Sequence, residues 1–344
     1  MKQKKHHRHH HHRRRLPRGV SAVILAVFAV VLVAGVIFAK RYLEPEQKPD
    51  PVGNYTDRYV YDVTREIDDQ MYRQRGSVTT LLLMGIDHDS DDTPVTSFRS
   101  GGQADFLRLL IIDRTENTII QIPIDRDTLA TMTVLGVTGE VSGERTAQIC
   151  LSHSFGDGKE QSGELTRQAV SNLLLGARID FYMAMNLDGI AVLNDTLGGI
   201  SLTLDEDLTV LDPAWKAGTK ITLHGETAQT FLRARMEVSD GTNVSRMRRQ
   251  QQYVSEAAHI LQEKVSKNVD FIGTLFDHMS PYLVGNISRS NLVNLAYLAR
   301  NYGRSVVEIP GNHGKDAQGF TTFEADMDAL REIALKYLFT PVNM

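Results

Sequence analysis

The sequence of 344 residues predicts a mixed α/β protein: a three-layer α/β/α domain with a mixed central sheet, preceded by one N-terminal transmembrane helix. An uncharged apolar run near the N-terminus predicts the transmembrane helix. After residue 77, short apolar runs typical of strands alternate with amphipathic segments typical of helices, which favours a layered α/β fold. This region is long enough for one large core or for two. Because it shows no internal repeat, we predict one domain at 77–344.

The first element, Val20–Ala39, has 20 residues without a charge and is long enough to span a bilayer as a helix. Eight Lys or Arg residues precede it, and only Lys40 and Arg41 follow it directly. This asymmetry predicts a basic cytoplasmic tail at 1–19 and a single-pass type II protein of the cell membrane, with the later residues outside the cell. A cleaved signal peptide is the alternative, although its apolar core is normally shorter, about 7 to 15 residues.

The region after this segment is acidic. Ten of the 38 Lys and Arg residues and none of the 42 Asp and Glu residues lie in 1–41, which leaves 28 basic and 42 acidic residues in 42–344. A difference of −14 argues against general nucleic-acid binding, so any anion site must be local. The single cysteine, Cys150, cannot form an intramolecular disulfide, and we expect a small buried residue there.

The elements that follow are inferred from apolar periodicity and turn residues. Residues 40–76 are predicted to be a linker and packing arm, with a Pro-rich spacer first and some helical periodicity at 54–75. Strands are predicted at Val78–Ile86, Leu107–Ile112, Thr118–Ile124, Asp180–Leu187 and Ile200–Leu204. Helices are predicted at Glu164–Leu175, at Asp188–Leu197, from Gly225 to near Leu232, from Asn243 to about Val265, and at about 268–278, 290–301 and 323–337.

The strongest chemical signal is a group of basic residues at 246–249, where a loop enters a long helix with Asn243 or Ser245 as the candidate N-cap. Three arginines lie in the first turns, where the positive end of the helix dipole normally favours Asp and Glu. A helix N-terminus with guanidinium groups is suited to phosphate, which predicts an anion site. The alternative is a solvated basic helix start that pairs with acids such as Glu237 and Asp240.

The spacing of the basic residues limits how such a site can form. On a helix, Arg246, Arg249 and Gln250 share one face because they are three and four residues apart. Arg233 and Arg235 are two residues apart and share a face only in extended chain. The helix that precedes them should therefore end as they begin.

Carboxylates at strand ends indicate a second chemical feature. Asp105 precedes the strand Leu107–Ile112, and Arg126 and Asp127 follow the strand Thr118–Ile124. Magnesium typically takes one or two carboxylates together with phosphate oxygens, so these junctions could hold a hard divalent cation. Each of these residues alone is also common in turns.

Several stretches of the chain, in order, resemble the LytR–CpsA–Psr family of bacterial envelope proteins. They are LLLMGID at 81–87, GQADFLRLLIID at 102–113, IPIDRDT at 122–128, IDFYMAMNLDGIAVLNDTLGGISLTL at 179–204, GETAQTFLRAR at 225–235 and SRMRRQQ at 245–251. No single stretch is specific, but their order, the membrane anchor and the orientation agree with the family, and the resemblance covers roughly 78–265.

This resemblance implies a phosphotransferase of cell-wall assembly, with its outer domain facing the wall. It would take a glycopolymer from a polyprenyl-pyrophosphate carrier in the membrane and transfer it to peptidoglycan through a phosphodiester. Asp105 and Asp127 would bind Mg²⁺, and Arg126 would help to hold the charge nearby. The pyrophosphate would be held by Arg233, Arg235, Arg246 and Gln250. Such a reaction depends mainly on positioning and charge neutralisation, which Arg and Mg²⁺ supply.

Departures from the family pattern leave alternatives open. The family's IPRDT is two residues longer here, so Asp125 competes with Asp127 as a metal ligand. Where the family usually has an aspartate, this chain has Asn243, and Asp240 could replace it as the base that accepts the proton of the acceptor hydroxyl. Gln148 stands where a basic residue is frequent. Two other functions remain open: hydrolysis of the polyprenyl pyrophosphate, and its binding without turnover in a wall regulator.

Overall fold

A computed structural model describes residues 64–67, 69–87, 101–136, 139–234, 243–299 and 301–342, without the side chains at 233, 243–248, 250, 251, 254, 258 and 262. The predicted cytoplasmic tail, the predicted transmembrane helix and most of the predicted linker lie outside these ranges. Among the described helices, none combines the length and the apolar character needed to cross a membrane.

The described ranges contain strands and helices that alternate along much of the chain. The strands are β1 (Thr64–Ile67), β2 (Gln70–Gln74), β3 (Val78–Ile86), β4 (Ala104–Asp113), β5 (Thr118–Ile124), β6 (Leu129–Leu135), β7 (Val141–Gln148), β8 (Phe181–Met185), β9 (Ile200–Thr203), β10 (Lys220–Leu223), β11 (Leu283–Gly285), β12 (Gly303–Val306), β13 (Gly311–Lys315), β14 (Thr321–Ala325) and β15 (Phe339–Pro341). The helices are α1 (Leu151–Ser154), α2 (Glu160–Leu173), α3 (Gly189–Thr196), α4 (Glu226–Arg233), α5 (Asn243–Lys267), α6 (Phe271–Met279), α7 (Arg289–Ala299) and α8 (Met327–Leu338).

A six-stranded sheet lies at the centre, with the strand order β11-β8-β3-β4-β5-β12. The pairs β8–β3 and β5–β12 are parallel, and the pairs β11–β8, β3–β4 and β4–β5 are antiparallel. The predicted mixed α/β fold with a mixed central sheet is therefore confirmed.

The central strands are apolar on both faces because packed elements cover both faces. Leu82 and Leu83 are neighbours on β3 and belong to two different core clusters, as the alternation of side chains along a strand requires. The cluster around Leu83 includes residues of α3, α4, α5, α6 and α7. The cluster around Leu82 includes residues of α2 and α8 and of the hairpin β6–β7. The sheet therefore separates two apolar cores, and each of its faces contributes side chains to one of them.

At both ends of the domain the structure differs from what the residue periodicity indicated. The helical periodicity at 54–75 does not give a helix in its described part, because β1 and β2 pair across a turn at Asp69, whose φ is 60°, and β2 also pairs with β15. The last helix starts later than position 323, because β14 pairs with β13 up to Ala325. Asp326 then caps α8 by accepting hydrogen bonds from the backbone N–H groups of Asp328 and Ala329, both at 3.1 Å.

The two arginine-bearing helices lie within two residues of their predicted bounds. Helix α4 ends at Arg233, and Ala234 has extended backbone angles (φ −57°, ψ 134°). Helix α5 begins at Asn243 and runs to Lys267. The chain therefore leaves helical geometry between Arg233 and Arg235, as their spacing requires for a shared face.

Candidate active site

Strand register brings the predicted acidic and basic residues to one edge of the central sheet. On the antiparallel pair β4–β5, Leu107 lies opposite Ile124. Asp105 precedes Leu107 by two residues and Arg126 follows Ile124 by two residues, so the two residues lie side by side. The β4–β5 hairpin therefore brings Asp105 and Arg126, which are distant in the sequence, into contact.

The Arg126 guanidinium is the centre of this cluster. Its Nη1 atom forms an ion pair with Oδ1 of the fully buried Asp105, and its Nε atom lies 3.4 Å from Oδ1 of Asp127. Its Nη2 atom donates a hydrogen bond of 2.7 Å to Oε1 of Gln103. The structure therefore brings Asp105, Arg126 and Asp127 together, and it adds Gln103, which the sequence did not single out.

Cys150 is a second residue of the cluster to which the sequence assigned no function. The thiol is buried, as predicted, and its Sγ atom lies 3.3 Å from Nη2 of Arg126. Burial raises the pKa of Cys150 to about 12, although the neighbouring Arg126 acts in the opposite direction. The thiol is therefore protonated at neutral pH and unsuited to act as a nucleophile. No sequence signal pointed to this contact, because β7, which Cys150 follows, was not predicted.

The two competing aspartates have different surroundings. Asp125 turns the chain after β5: its Oδ1 atom accepts a hydrogen bond of 2.8 Å from the N–H of Asp127, and its Oδ2 atom lies 3.6 Å from Nε2 of His313. Asp127 is the one that contacts Arg126. Burial raises the pKa of Asp127, the charge of Arg126 lowers it, and the charge of Asp125 raises it. This favours Asp127 over Asp125 as the carboxylate next to the guanidinium.

A pocket of about 320 Å³ opens beside this cluster. It is lined by Gln103, Arg126, Asp127, Gln148, Cys150, Leu151, Phe320 and Thr321. Phe320 precedes β14, is 51% exposed and adds an apolar ring to the lining of the pocket. Gln148 donates a hydrogen bond of 3.2 Å to the carbonyl oxygen of Thr321, which fixes the amide in the pocket wall. Strand β7 and the loop before β14 thus complete a site that begins at β4 and β5.

The carboxylates fit a magnesium ion only in part. Asp105 and Asp127 offer the hard oxygen ligands that Mg²⁺ prefers. Both carboxylates face the Arg126 guanidinium, and the described residues contain no cluster of three or more His, Cys, Asp or Glu side chains that could hold a metal. The remaining ligands would have to come from water and from a phosphate, as is usual for this cation.

Arg249 connects the two arginine-bearing segments. Its guanidinium is buried, forms an ion pair with Glu206 and donates a hydrogen bond to the carbonyl oxygen of Ala234. Ala234 stands between the predicted pyrophosphate ligands at 233 and 235, and Arg249 stands between those at 246 and 250. The segments that carry the four ligands are therefore in contact. Arg235, Asp240 and the side chains of Arg233, Arg246 and Gln250 lie outside the described part, so their roles stay predictions.

The sequence of the chain matches the model of the LytR_cpsA_psr family over residues 53–337. The chain belongs to this family. The match spans the strands that carry Asp105, Arg126 and Asp127 as well as helices α4 and α5. Membership confirms the resemblance that the ordered sequence stretches indicated.

Three named relatives each share 23% identity or less with this chain. One is the protein of Bacillus subtilis named polyisoprenyl-teichoic acid–peptidoglycan teichoic acid transferase TagU, which is 23% identical over 278 residues, or 79% of this chain and 81% of TagU. Two crystal structures have the same fold at 20% identity. The protein gbs0355 of Streptococcus agalactiae has a TM-score of 0.55 over 76% of this chain and 88% of its own, and TagV of B. subtilis has a TM-score of 0.53 over 76% and 98%.

Proposed function

We propose that this protein is a phosphotransferase that moves a glycopolymer from a polyprenyl-pyrophosphate carrier to peptidoglycan during cell-wall assembly. The observation that carries the proposal is the Arg126 guanidinium held between Asp105 and Asp127 at the edge of an open pocket. Family membership and the transferase name of the relative TagU support the same class of reaction.

The reaction joins a hydroxyl oxygen of the acceptor sugar to the phosphorus atom next to the glycopolymer. The bond from that phosphorus atom to the bridging oxygen of the pyrophosphate breaks, and polyprenyl phosphate leaves with the bond electrons. Arg126, which its neighbours hold in place, neutralises the charge that develops on the phosphate oxygens. The proton of the acceptor hydroxyl must move to a base.

Asp127 and Asp240 are the candidates for this base. Burial raises the pKa of Asp127, which makes its carboxylate a better proton acceptor than an exposed aspartate. Asp127 also lines the pocket, where an acceptor hydroxyl can approach it. Asp240 lies outside the described residues. Structural support for a base therefore comes from the surroundings of Asp127.

Arg233, Arg235, Arg246 and Gln250 bind the pyrophosphate in this proposal. The contact of Arg249 with the carbonyl of Ala234 supports this role, because it joins the two segments that carry these residues. The free N–H groups at the start of α5 add a favourable dipole for an anion.

Asp105 and Asp127 would hold a Mg²⁺ ion together with oxygens of the pyrophosphate; with Asp127 on the ion, Asp240 would be the base. When bound, this ion would neutralise phosphate charge and help the leaving group to depart. The membrane carrier of the substrate agrees with the predicted type II orientation, in which residues 1–19 face the cytoplasm and the catalytic domain faces the wall.

A transfer assay with the full chain in nanodiscs tests the proposal. The donor is a polyprenyl-pyrophosphate glycan with a labelled glycan, and the acceptor is a peptidoglycan oligosaccharide. Arg126→Ala should lower the rate of transfer by about 10²–10³-fold, as expected when a preorganised donor to the transition state is lost. Arg289→Ala is the matched control. Arg289 is half exposed, pairs with Asp277 and lies far from Arg126 in the sequence.

The products distinguish the three functions. Label joined to the acceptor supports the transferase. Label released as a glycan phosphate at the same rate with and without acceptor identifies a hydrolase. Tight binding of the donor without either product identifies a non-enzymatic binding protein, a function that Asn243 and Gln148 favour by replacing the family's usual ionisable residues.

A further inference from the structure

Phe320 is an exposed aromatic ring at the candidate active site. Its side chain is 51% exposed, whereas every other phenylalanine in the described part of the chain is buried or half-buried. The ring lines the same pocket as Arg126 and Asp127. Single apolar side chains are common on protein surfaces, but an aromatic ring in the lining of a pocket is typical of a ligand contact.

The turn before β14 holds the backbone of Phe320 in place. The N–H of Phe320 donates a hydrogen bond of 2.8 Å to Oδ1 of Asp316, and the carbonyl oxygen of Phe320 accepts one of 2.9 Å from the N–H of Asp316. Gly319 has a φ of 83° in this turn, a conformation that glycine adopts without strain. The ring is therefore carried by an ordered turn and not by a loose end of the hairpin.

The hairpin β13–β14 is attached directly to residues of the site. The N–H of Phe323 donates a hydrogen bond of 2.8 Å to the carbonyl oxygen of Asp127, and the side chain of Gln148 donates one of 3.2 Å to the carbonyl oxygen of Thr321. The ring of Phe323 is buried and anchors the hairpin in the core. These contacts place the exposed ring of Phe320 beside the polar groups of the pocket.

The hairpin lies on the opposite side of the central sheet from the arginine-bearing helices. Phe323 of β14 belongs to the core cluster that contains Leu82, whereas Phe231 of α4 and Tyr253 of α5 belong to the cluster that contains Leu83. In phosphoryl transfer the attacking and leaving oxygens lie roughly in line, on opposite sides of the phosphorus atom. With the pyrophosphate held by α4 and α5, as proposed, the acceptor approaches from the side of the hairpin.

A sugar ring fits the mixed chemistry of this pocket. A pyranose with equatorial hydroxyls has a face of C–H groups, and the negative face of an aromatic ring attracts such groups. The hydroxyls at the rim of the sugar need hydrogen-bond donors and acceptors. The amides of Gln103 and Gln148 and the carboxylate of Asp127, all in the pocket lining, can supply both.

We propose that Phe320 is the platform on which a pyranose ring of the acceptor glycan packs during transfer. This inference rests on the proposed transfer reaction and gives it a residue that determines acceptor specificity. Packing on the ring of Phe320 orients the sugar, so that one of its hydroxyls faces the phosphate beside Arg126.

Binding of a sugar to this platform can be measured without any transfer. The full chain in nanodiscs is titrated with chitotetraose, a chain of β-linked N-acetylglucosamine rings, and saturation-transfer NMR records which C–H protons of the sugar contact the protein. Phe320→Leu keeps an apolar side chain without the aromatic face and should weaken binding about tenfold. Phe320→Tyr keeps the face and should bind within about threefold of the wild type.

Met327→Ala is the matched control for an exposed apolar side chain. Met327 is 59% exposed, follows the same hairpin and lies outside the pocket lining, so its loss should leave chitotetraose binding unchanged. Circular dichroism should find the same unfolding midpoint for Phe320→Leu as for the wild type, because the ring is exposed.

The kinetics of transfer identify the substrate that meets the ring. Phe320→Leu should raise the KM for the peptidoglycan acceptor about tenfold and leave kcat and the KM for the donor within about twofold of the wild type, because the lost contact is one of binding. A raised KM for the donor alone would overturn the proposal, since the ring would then hold the donor glycan. Unchanged kinetics in Phe320→Leu would overturn it as well.

The two measurements separate this proposal from that of the transfer reaction. If the wild type transfers no glycan and Phe320→Leu still loses chitotetraose binding, the sugar platform stands and the proposed function fails. If the wild type transfers the glycan and Phe320→Leu binds chitotetraose as tightly as the wild type, the proposed function stands and the platform is wrong. A wild type that binds no chitotetraose also refutes the platform.

Discussion

Cys150 lies 3.3 Å from a nitrogen of Arg126, a position in which a thiolate would be stabilised by charge. Burial is the larger effect and raises the pKa of the thiol to about 12. The folded protein thus binds the thiol proton more tightly than the unfolded chain does. This preference stabilises the fold fully below the unfolded pKa of about 9, and the contribution is lost as the pH rises from about 9 to about 12.

Cys150→Ala should therefore keep its rate of transfer within about threefold of the wild type, because a neutral thiol supplies no nucleophile. The native thiol should react with iodoacetamide at pH 8 far more slowly than the same thiol in denaturant, which serves as the control. The difference in unfolding free energy between the wild type and Cys150→Ala should shrink above pH 9. Fast alkylation of the native protein would show that the thiol is activated.

Whether the sequence can predict a contact in the site depends on how the two contacting residues are connected along the chain. Asp105, Arg126 and Asp127 stand at the ends of two consecutive strands, so a hairpin places them together and their grouping could be inferred. Gln103 directly precedes β4, two residues before Asp105, whereas Cys150 reaches Arg126 from beyond the end of β7. Their contacts depend on the register of β4 and on the path of the chain after β7, which residue spacing does not encode.

At the scale of the element, buried strands were predicted well and exposed hairpins were missed. Val78–Ile86 and Thr118–Ile124 are found with the predicted bounds, because a continuous apolar run between turn residues has few other solutions. The strand β7 has the sequence VSGERTAQ and β13 has the sequence GNHGK, and both are largely exposed. Without an apolar face neither shows a period of two, so only pairing with a neighbouring strand makes it extended.

Helix α2 packs on the sheet through a glycine, which leads to a prediction. A Cβ atom at Gly163 would stand 2.3 Å from Cε2 of the buried Tyr182 on β8. Alanine in a helix normally adds about 1 kcal/mol of stability relative to glycine. Here overpacking should cost about 1–3 kcal/mol, so Gly163→Ala should lower the free energy of unfolding.

Gly273→Ala in α6 is the matched control for this prediction. Its Cβ atom would meet the Arg289 guanidinium at 2.3 Å, but that group is the end of a flexible, half-exposed side chain that can move away. Chemical denaturation should find Gly273→Ala at least as stable as the wild type and Gly163→Ala less stable. Equal midpoints for the two variants would mean that α2 can shift off the sheet without loss.

At the scale of the whole molecule, the central sheet places the site where both cores meet. Asp105 and Arg126 lie at the ends of central strands of the sheet, and a separate cluster of apolar residues packs on each face of that sheet. The arginine-bearing helices pack on one face, whereas the hairpin β6–β7, which leads to Gln148 and Cys150, packs on the other. The pocket residues therefore depend on both cores for their positions.

Because the two cores share the central sheet, we predict that they unfold together. Leu82 and Leu83 are adjacent on β3, almost completely buried, and directed into opposite cores. Replacing either with alanine should cost about 2–5 kcal/mol, through lost burial and the cavity left behind. Because both cores pack on the same sheet, a substitution that destabilises one core should lower the free energy of unfolding of the other by the same amount.

The single tryptophan allows this prediction to be measured. Trp215 packs edge-on against Phe231, with ring centroids 6.0 Å apart, in the core that contains Leu83 and not Leu82. Denaturation of the full chain is followed by Trp215 fluorescence and by far-ultraviolet circular dichroism. In Leu82→Ala both signals should shift to the same lower midpoint, as they should in Leu83→Ala. If Leu82→Ala lowers the dichroism midpoint and leaves the fluorescence midpoint of the wild type, the cores unfold separately and the sheet does not couple them.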